Sequence, residues 1–264
     1  MEKEKTLLVS IVIPSWLVSG QDGKYGLNET FVIADKCLRR IIECTPKGLY
    51  EIILIDNGST LEDASDYWKL ADVVIKNEKN LGFAPAMNQG FALARGKYVV
   101  NMNNDILVWE GWLETLLRDF EVELFSPKCG LLMPAIIKEK DSFFNFLKKD
   151  KRDIDMKTNA GKFGLNAEFG SCWLAERKVL RKVSEFRDGY QVFDENFKIG
   201  FGEDRWLYRE IRMLGLETYR THNLRVLHVG NLSIGKMKKK PGVREAIDKN
   251  REYLEELKDK HKVD

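Results

Sequence analysis

Tyr98-Val99-Val100-Asn101-Met102-Asn103-Asn104-Asp105 begins as an apolar run and ends in small polar side chains closed by one carboxylate. The apolar part reads as a buried strand. Buried strands avoid charge, so a carboxylate where such a strand runs out is a surface residue or a functional one. Asp105 is therefore a candidate for holding a divalent cation.

Working outward from this stretch, the same texture recurs upstream. Leu7 to Ile13 is nearly all apolar and rich in β-branched residues, the pattern of a parallel strand buried on both faces, and Pro14 ends it. Phe31, Ala34, Leu38 and Ile41 follow at helical spacing, and Thr45-Pro46-Lys47-Gly48 stops that helix. Glu51 to Ile55 is a second strand, running into Asp56-Asn57-Gly58-Ser59-Thr60. Leu61 to Leu70 reads as a helix and Asp72 to Asn77 as a third strand. Asn80-Leu81-Gly82-Phe83 then opens a helix carrying Ala84, Met87, Phe91 and Ala94, which Gly96 closes. Strand and helix alternation of this kind predicts an α/β fold with a mostly parallel, Rossmann-like central sheet flanked by helices.

Downstream, the pattern predicts a helix over 110–125 and a strand over 130–137. The charged segment Lys138–Lys162 reads as an insertion. A second apolar stretch around 169–174 and a helix to about Ser184 come next. Phe193-Asp194-Glu195 and Gly200-Phe201-Gly202-Glu203-Asp204 lead into a helix ending near Leu214. Two short strands, 216–221 and 224–229, follow, the second containing His228. A basic loop, 235–242, precedes an amphipathic helix over 243–262. The expectation is one domain over 1–264, with 1–125 and 126–235 as its two halves, followed by the basic loop with its helix.

The bulk numbers narrow the class. With 264 residues, 44% of them hydrophobic, the chain supports a sizeable core. A formal net charge of +2 with dispersed basic residues argues against nucleic acid as a partner. Cys37, Cys44, Cys129 and Cys172 form no C-x-x-C pair and are too few for a disulfide framework, which suits reduced thiols in the cytoplasm. No apolar run has the length of a signal segment or a membrane span, so no transmembrane anchor is expected; peripheral membrane contact through an acceptor is left open.

In an open α/β sheet, ligands bind beyond the carboxyl ends of the strands. Asp56, Asp105 and Glu203-Asp204 fall at or just past such ends, with Ser15, Asn80, Asn103 and Asn104 at the same rim. Taken singly, each has a bland explanation: Asp-Asn-Gly-Ser is good turn chemistry, and acids suit a helix N-terminus. Their convergence is what carries weight.

The ordered set resembles a family 2 glycosyltransferase of the GT-A fold. The likeness rests on Ser10-Ile11-Val12-Ile13-Pro14, Glu51 to Thr60, Asn80-Leu81-Gly82-Phe83, Asn88 to Gly96 and Asn103-Asn104-Asp105. It resumes with Phe193-Asp194-Glu195, Gly202-Glu203-Asp204, His228, and Asn250-Arg251-Glu252-Tyr253 to His261. The resemblance implies that Asp56 bonds the base of a nucleoside-diphosphate sugar, with Pro14, Ser15, Asn80 and Gly82 around it. Asn103-Asn104-Asp105 stands where the family carries D-x-D, in a rhamnosyltransferase-like N-x-D form. Asp105 would hold Mn2+ or Mg2+, with His228 completing the site; mixed oxygen and imidazole ligation suits Mn2+. Asn103 and Asn104 would contact the donor. Asp204 resembles the general base, with Glu203 as the alternative, in an inverting transfer of a hexosyl or rhamnosyl group from a UDP- or dTDP-sugar. The acceptor is a hydroxyl on a glycan, a lipid-linked glycan or another molecule. Trp206 stands where the family often has a further aspartate and reads as core. The rivals are a nucleotidyltransferase, which lacks its Gly-rich basic loop here, and a non-catalytic nucleotide- or glycan-binding module.

Overall fold

The structure is a computed structural model that describes residues 7–17, 29–61, 64–122, 128–138, 164–165, 170–230 and 242–262. The expected insertion beyond Lys138 and the basic loop before Gly242 lie outside the described residues.

In chain order the strands are β1 (Val9–Ser15), β2 (Tyr50–Asn57), β3 (Val73–Asn77), β4 (Tyr98–Met102), β5 (Ile106–Leu107), β6 (Cys129–Lys138), β7 (Gly164–Leu165), β8 (Cys172–Glu176) and β9 (Glu217–His228). The helices are α1 (Glu29–Cys44), α2 (Ser65–Trp68), α3 (Phe83–Leu93), α4 (Trp112–Glu121), α5 (Arg177–Ser184), α6 (Glu203–Met213) and α7 (Val243–His261). One sheet joins the strands in the order β3-β2-β1-β4-β8-β6-β9-β5, with β7 also on β9.

The parallel run expected from the sequence holds for β3, β2, β1 and β4. Beyond β4 the sheet is mixed. β8 enters antiparallel to β4 and to β6, while β6 and β9 are parallel. Two antiparallel steps restore the original direction. The carboxyl ends of β1, β4 and β9 therefore open on the same rim as the amino end of β8.

Helices cover both faces. Val9, Ile11 and Ile13 of β1 join a cluster with Ile33, Leu38 and Ile41 of α1 and Trp112, Leu116 and Phe120 of α4. Val12, Ile53 and Ile55 face the other way, with Met87 and Phe91 of α3, Leu180 of α5, and Leu207 and Ile211 of α6. Burial on two faces explains why these strands read as continuous apolar runs. α7 docks through Leu254 and Leu257 against Phe197 and Trp206, so Trp206 is core, as expected. All four cysteines are buried, and none is joined in a disulfide.

Three elements differ from the sequence pattern. The helix expected over 61–70 is a single turn, Ser65–Trp68. The two strands expected around 216–229 are one strand, whose register against β6 shifts at Pro134/Ala135. The helix expected from about Ala175 begins at Arg177, because β8 runs on to Glu176.

Candidate active site

The shared rim opens into a cleft of about 630 Å³. It gathers Pro14, Ser15, Asn80, Gly82, Asn103, Asn104, Asp105, Glu203, Asp204 and His228, all but one of the residues singled out from the sequence.

The exception is Asp56. It is 5% exposed and does not line the cleft. One carboxylate oxygen accepts the Ser59 N–H at 3.0 Å and the other the Trp68 indole N–H at 2.9 Å. The Trp68 ring in turn lies 3.1 Å below the Lys76 ammonium. Asp56 thus ties the β2 turn to α2, and in this arrangement it presents no oxygen to the cleft. Ser15, its parallel neighbour in register, is the residue that reaches the rim. The Ser15 hydroxyl oxygen accepts from Tyr67 Oη at 3.0 Å and from Asn104 Nδ2 at 3.2 Å.

At the β2 end, Asn57 organises the 80–82 turn, a role the sequence did not single out. Its Nδ2 donates to Asn80 Oδ1 and Gly82 O, and its Oδ1 accepts from Leu81 N and Asn77 Nδ2. Asn77 also pairs reciprocally with Gln89 of α3. The signal was there in three asparagines clustered after strand ends. Amide-to-amide pairing across separate elements, however, has no spacing rule.

The metal candidates meet through β5. Its two residues pair with the end of β9, Ile106 opposite His228, which places the preceding residue, Asp105, beside that histidine. His228 Nε2 lies 3.2 Å from Asp105 Oδ1. That oxygen is buried and makes no hydrogen bond, while Asp105 Oδ2 accepts from Gly230 N. A carboxylate oxygen and an imidazole nitrogen converging at ion-pair distance is a donor set that fits a divalent cation. No third His, Cys, Asp or Glu joins them among the described residues. Asn103 lines the same wall. Its backbone N–H donates to Ser171 O and its side-chain oxygen is buried without a partner.

The same cleft is lined by Glu203 and Asp204, at the N-terminus of α6. They occupy different surroundings. Glu203 is 6% exposed and turns back to accept the Phe201 N–H. Burial, assisted by the neighbouring Asp204 charge, raises its pKa to about 7. Asp204 is half-buried and accepts the Arg205 N–H with one oxygen. Gly170 packs against it: a Cβ there would sit 2.8 Å from Asp204 Oδ2, so only glycine lets the carboxylate stand at the amino end of β8. Pattern reading missed Gly170 because nothing local marks it.

The segment before α6 is strained. Ile199, Gly200, Phe201 and Gly202 all have positive φ, at 71°, 99°, 136° and 109°. For the two non-glycines this costs of order 1–3 kcal/mol each. Such a conformation persists only where its surroundings hold it.

The fold is of the GT-A type, a mixed sheet between helices. The model of the family described as glycosyl transferase family 2 matches residues 27–184, and the chain belongs to that family. It is 30% identical over 119 residues to glycosyltransferase GlyG of Streptococcus pneumoniae serotype 4, a match covering 43% of this chain and 35% of that protein. It is 35% identical over 83 residues to putative polypeptide N-acetylgalactosaminyltransferase 13 of Drosophila melanogaster, covering 26% and 15%. The matched region is thus about a third or less of each relative's length. Among solved structures, GalNAc-T7 with UDP, GalNAc and Mn2+ superposes with TM-score 0.58 at 20% identity, over 86% of this chain and 45% of that one. Mannosyltransferase PcManGT from Pyrobaculum calidifontis, with GDP-Man and Mn2+, gives 0.57 at 18%, over 88% and 60%. At those identities the structural likeness establishes the fold alone. Among the described residues, no helix is long and apolar enough to cross a membrane.

Proposed function

We propose that this chain transfers a sugar, hexosyl or rhamnosyl, from a nucleoside-diphosphate sugar to a hydroxyl of a glycan or other acceptor, with inversion. The observation that carries the reading is one cleft lined both by the Asp105–His228 couple and by Asp204. Asp204 takes the acceptor hydroxyl proton, the freed oxygen attacks the anomeric carbon, and the bond from that carbon to the diphosphate breaks. A divalent cation, Mn2+ or Mg2+, held by Asp105 and His228 would supply charge stabilisation for the leaving diphosphate. Ser15, Asn80, Gly82, Asn103 and Asn104 would line the donor's path. Asp204 is preferred to Glu203 because Glu203 is buried and already engaged by Phe201.

Asp56 accepts one bond on each oxygen, from Ser59 and Trp68, and does not line the cleft, so a UDP- or dTDP-sugar, the donor the family resemblance implies, is proposed without a contact from Asp56 to favour it. A GDP-sugar therefore belongs in the test, as does the UDP class, given what GalNAc-T7 and PcManGT were solved with. The test is release of nucleoside diphosphate from UDP-, dTDP- and GDP-sugars with Mn2+. The expected result is turnover of one donor class by the wild type, reduced by about 10²–10⁴-fold in Asp204→Asn. Nucleotide binding without turnover of any donor would favour a non-catalytic binding module.

A further inference from the structure

We propose that Asn250, on the C-terminal helix α7, is a positioning residue that clamps the 198–202 segment and thereby sets the place of Asp204. The inference rests on the glycosyltransferase reading above. Asn250 is 3% exposed and spends its amide on that segment. Its Oδ1 accepts the Lys198 N–H at 3.0 Å. Its Nδ2 donates to Lys198 O at 2.7 Å and to Phe201 O at 3.0 Å. One side chain thus fixes backbone groups on both sides of Ile199 and Gly200, where the chain runs through successive positive φ values.

A second grip lies one turn along α7. Tyr253 Oη donates to Asp194 Oδ2 at 2.9 Å and accepts from Asn196 Nδ2 at 3.2 Å, and its ring meets Phe197 edge-on at 5.1 Å. Residues three apart share a helix face, so α7 presents Asn250 and Tyr253 together to 194–201. The clamped segment is itself cleft wall. Ile199 N lies 3.4 Å from where a Cβ on Gly82 would stand, so the segment abuts the 80–82 turn. Its other end is Gly202, the residue before Glu203-Asp204. Displacement of this segment therefore moves Asp204 relative to the donor-facing wall, while Ser15, Asn104 and the Asp105–His228 couple, held by β1, β4, β5 and β9, stay in place.

The substitution Asn250→Ala removes all three bonds. Asn250→Asp keeps the acceptor for the Lys198 N–H but turns the two donations into acceptor–acceptor contacts, so it loosens the segment by charge where Asn250→Ala does so by truncation. Two readouts are needed: turnover of the donor class that the wild type accepts, and amide hydrogen exchange resolved to 198–204 and to α7. The expected result is kcat lower by on the order of 10²-fold with donor KM unchanged. Exchange should be faster over 198–204 and unchanged in the interior of α7. Equal exchange over 198–204 in all three proteins overturns the clamp. Faster exchange with wild-type kcat overturns the link to Asp204, as does protection lost equally across α7, which would make Asn250 only a docking residue. A wild type silent on every donor overturns the functional reading itself. An active wild type with equally active variants overturns the Asn250 assignment alone.

Discussion

Asp105 and His228 are each ordinary residues whose meaning comes from the 3.2 Å between them. Asp105 Oδ2 accepts from Gly230 N, while Oδ1, the oxygen facing His228, is buried without a hydrogen bond. Such an oxygen is costly to leave unpaired unless a ligand completes it. Asp105→Asn keeps the size and removes the charge, so Mn2+-dependent turnover is expected to fall by more than tenfold, with recovery at higher Mn2+ marking a binding defect; the kinetic titration reads this directly. Glu203 allows a prediction of a different kind. Its carboxyl has a folded pKa raised to about 7 by burial. A carboxyl raised above its unfolded value stabilises the fold below that unfolded value, and the contribution is lost as pH rises through the folded one. Glu203→Gln retains an acceptor for the Phe201 N–H without the charge. Relative to wild type it is expected to gain roughly 1–3 kcal/mol between about pH 5 and pH 8, read by denaturant unfolding at each pH. Glu210, also raised to about 7 by burial, titrates in the same window but is common to both proteins.

At the level of elements, the site depends on how closely loops and strands approach. Gly58 has φ +75°, and a Cβ on it would lie 2.3 Å from the Lys79 carbonyl carbon. Gly58→Ala forces apart the β2 turn and the 79–82 turn that Asn57 ties to it. It is expected to cost about 1–3 kcal/mol and to weaken nucleoside diphosphate binding, measured by denaturant unfolding and by calorimetry. β1, α1, β2, β4, α4 and α6 were legible because each carries a long periodic or continuous apolar pattern. β5 was not: two residues have no period, and Ile106-Leu107 becomes a strand only because β9 is there to pair with it. α2 was overcalled because the apolar positions between Leu61 and Leu70 imitate a helix face, while one turn, Ser65–Trp68, suffices to carry Tyr67 and Trp68 to their partners.

Across the whole molecule, most of the cleft was legible, since strand ends in an α/β sheet collect functional residues on one rim. The contacts of Asp56 were not legible for a physical reason: its turn is folded under the rim by a tryptophan twelve residues on, a contact that no local rule encodes. The insertion of β8 between β4 and β6 was equally invisible, because antiparallel pairing at that distance depends on tertiary fit and not on pattern. The sheet order it creates is what brings β9, and so His228, to the rim that holds Asp105. That meeting leads to the central claim, that a divalent cation is held jointly by Asp105, His228 and a donor diphosphate. Calorimetric titration of Mn2+ into the full chain, with and without saturating nucleoside diphosphate of the accepted class, tests it most directly. Two protein ligands alone should bind Mn2+ weakly, and the diphosphate should tighten binding severalfold or more, with both effects lost in Asp105→Asn. Equal Mn2+ affinity with and without the nucleotide, or affinity unchanged in Asp105→Asn, would contradict it.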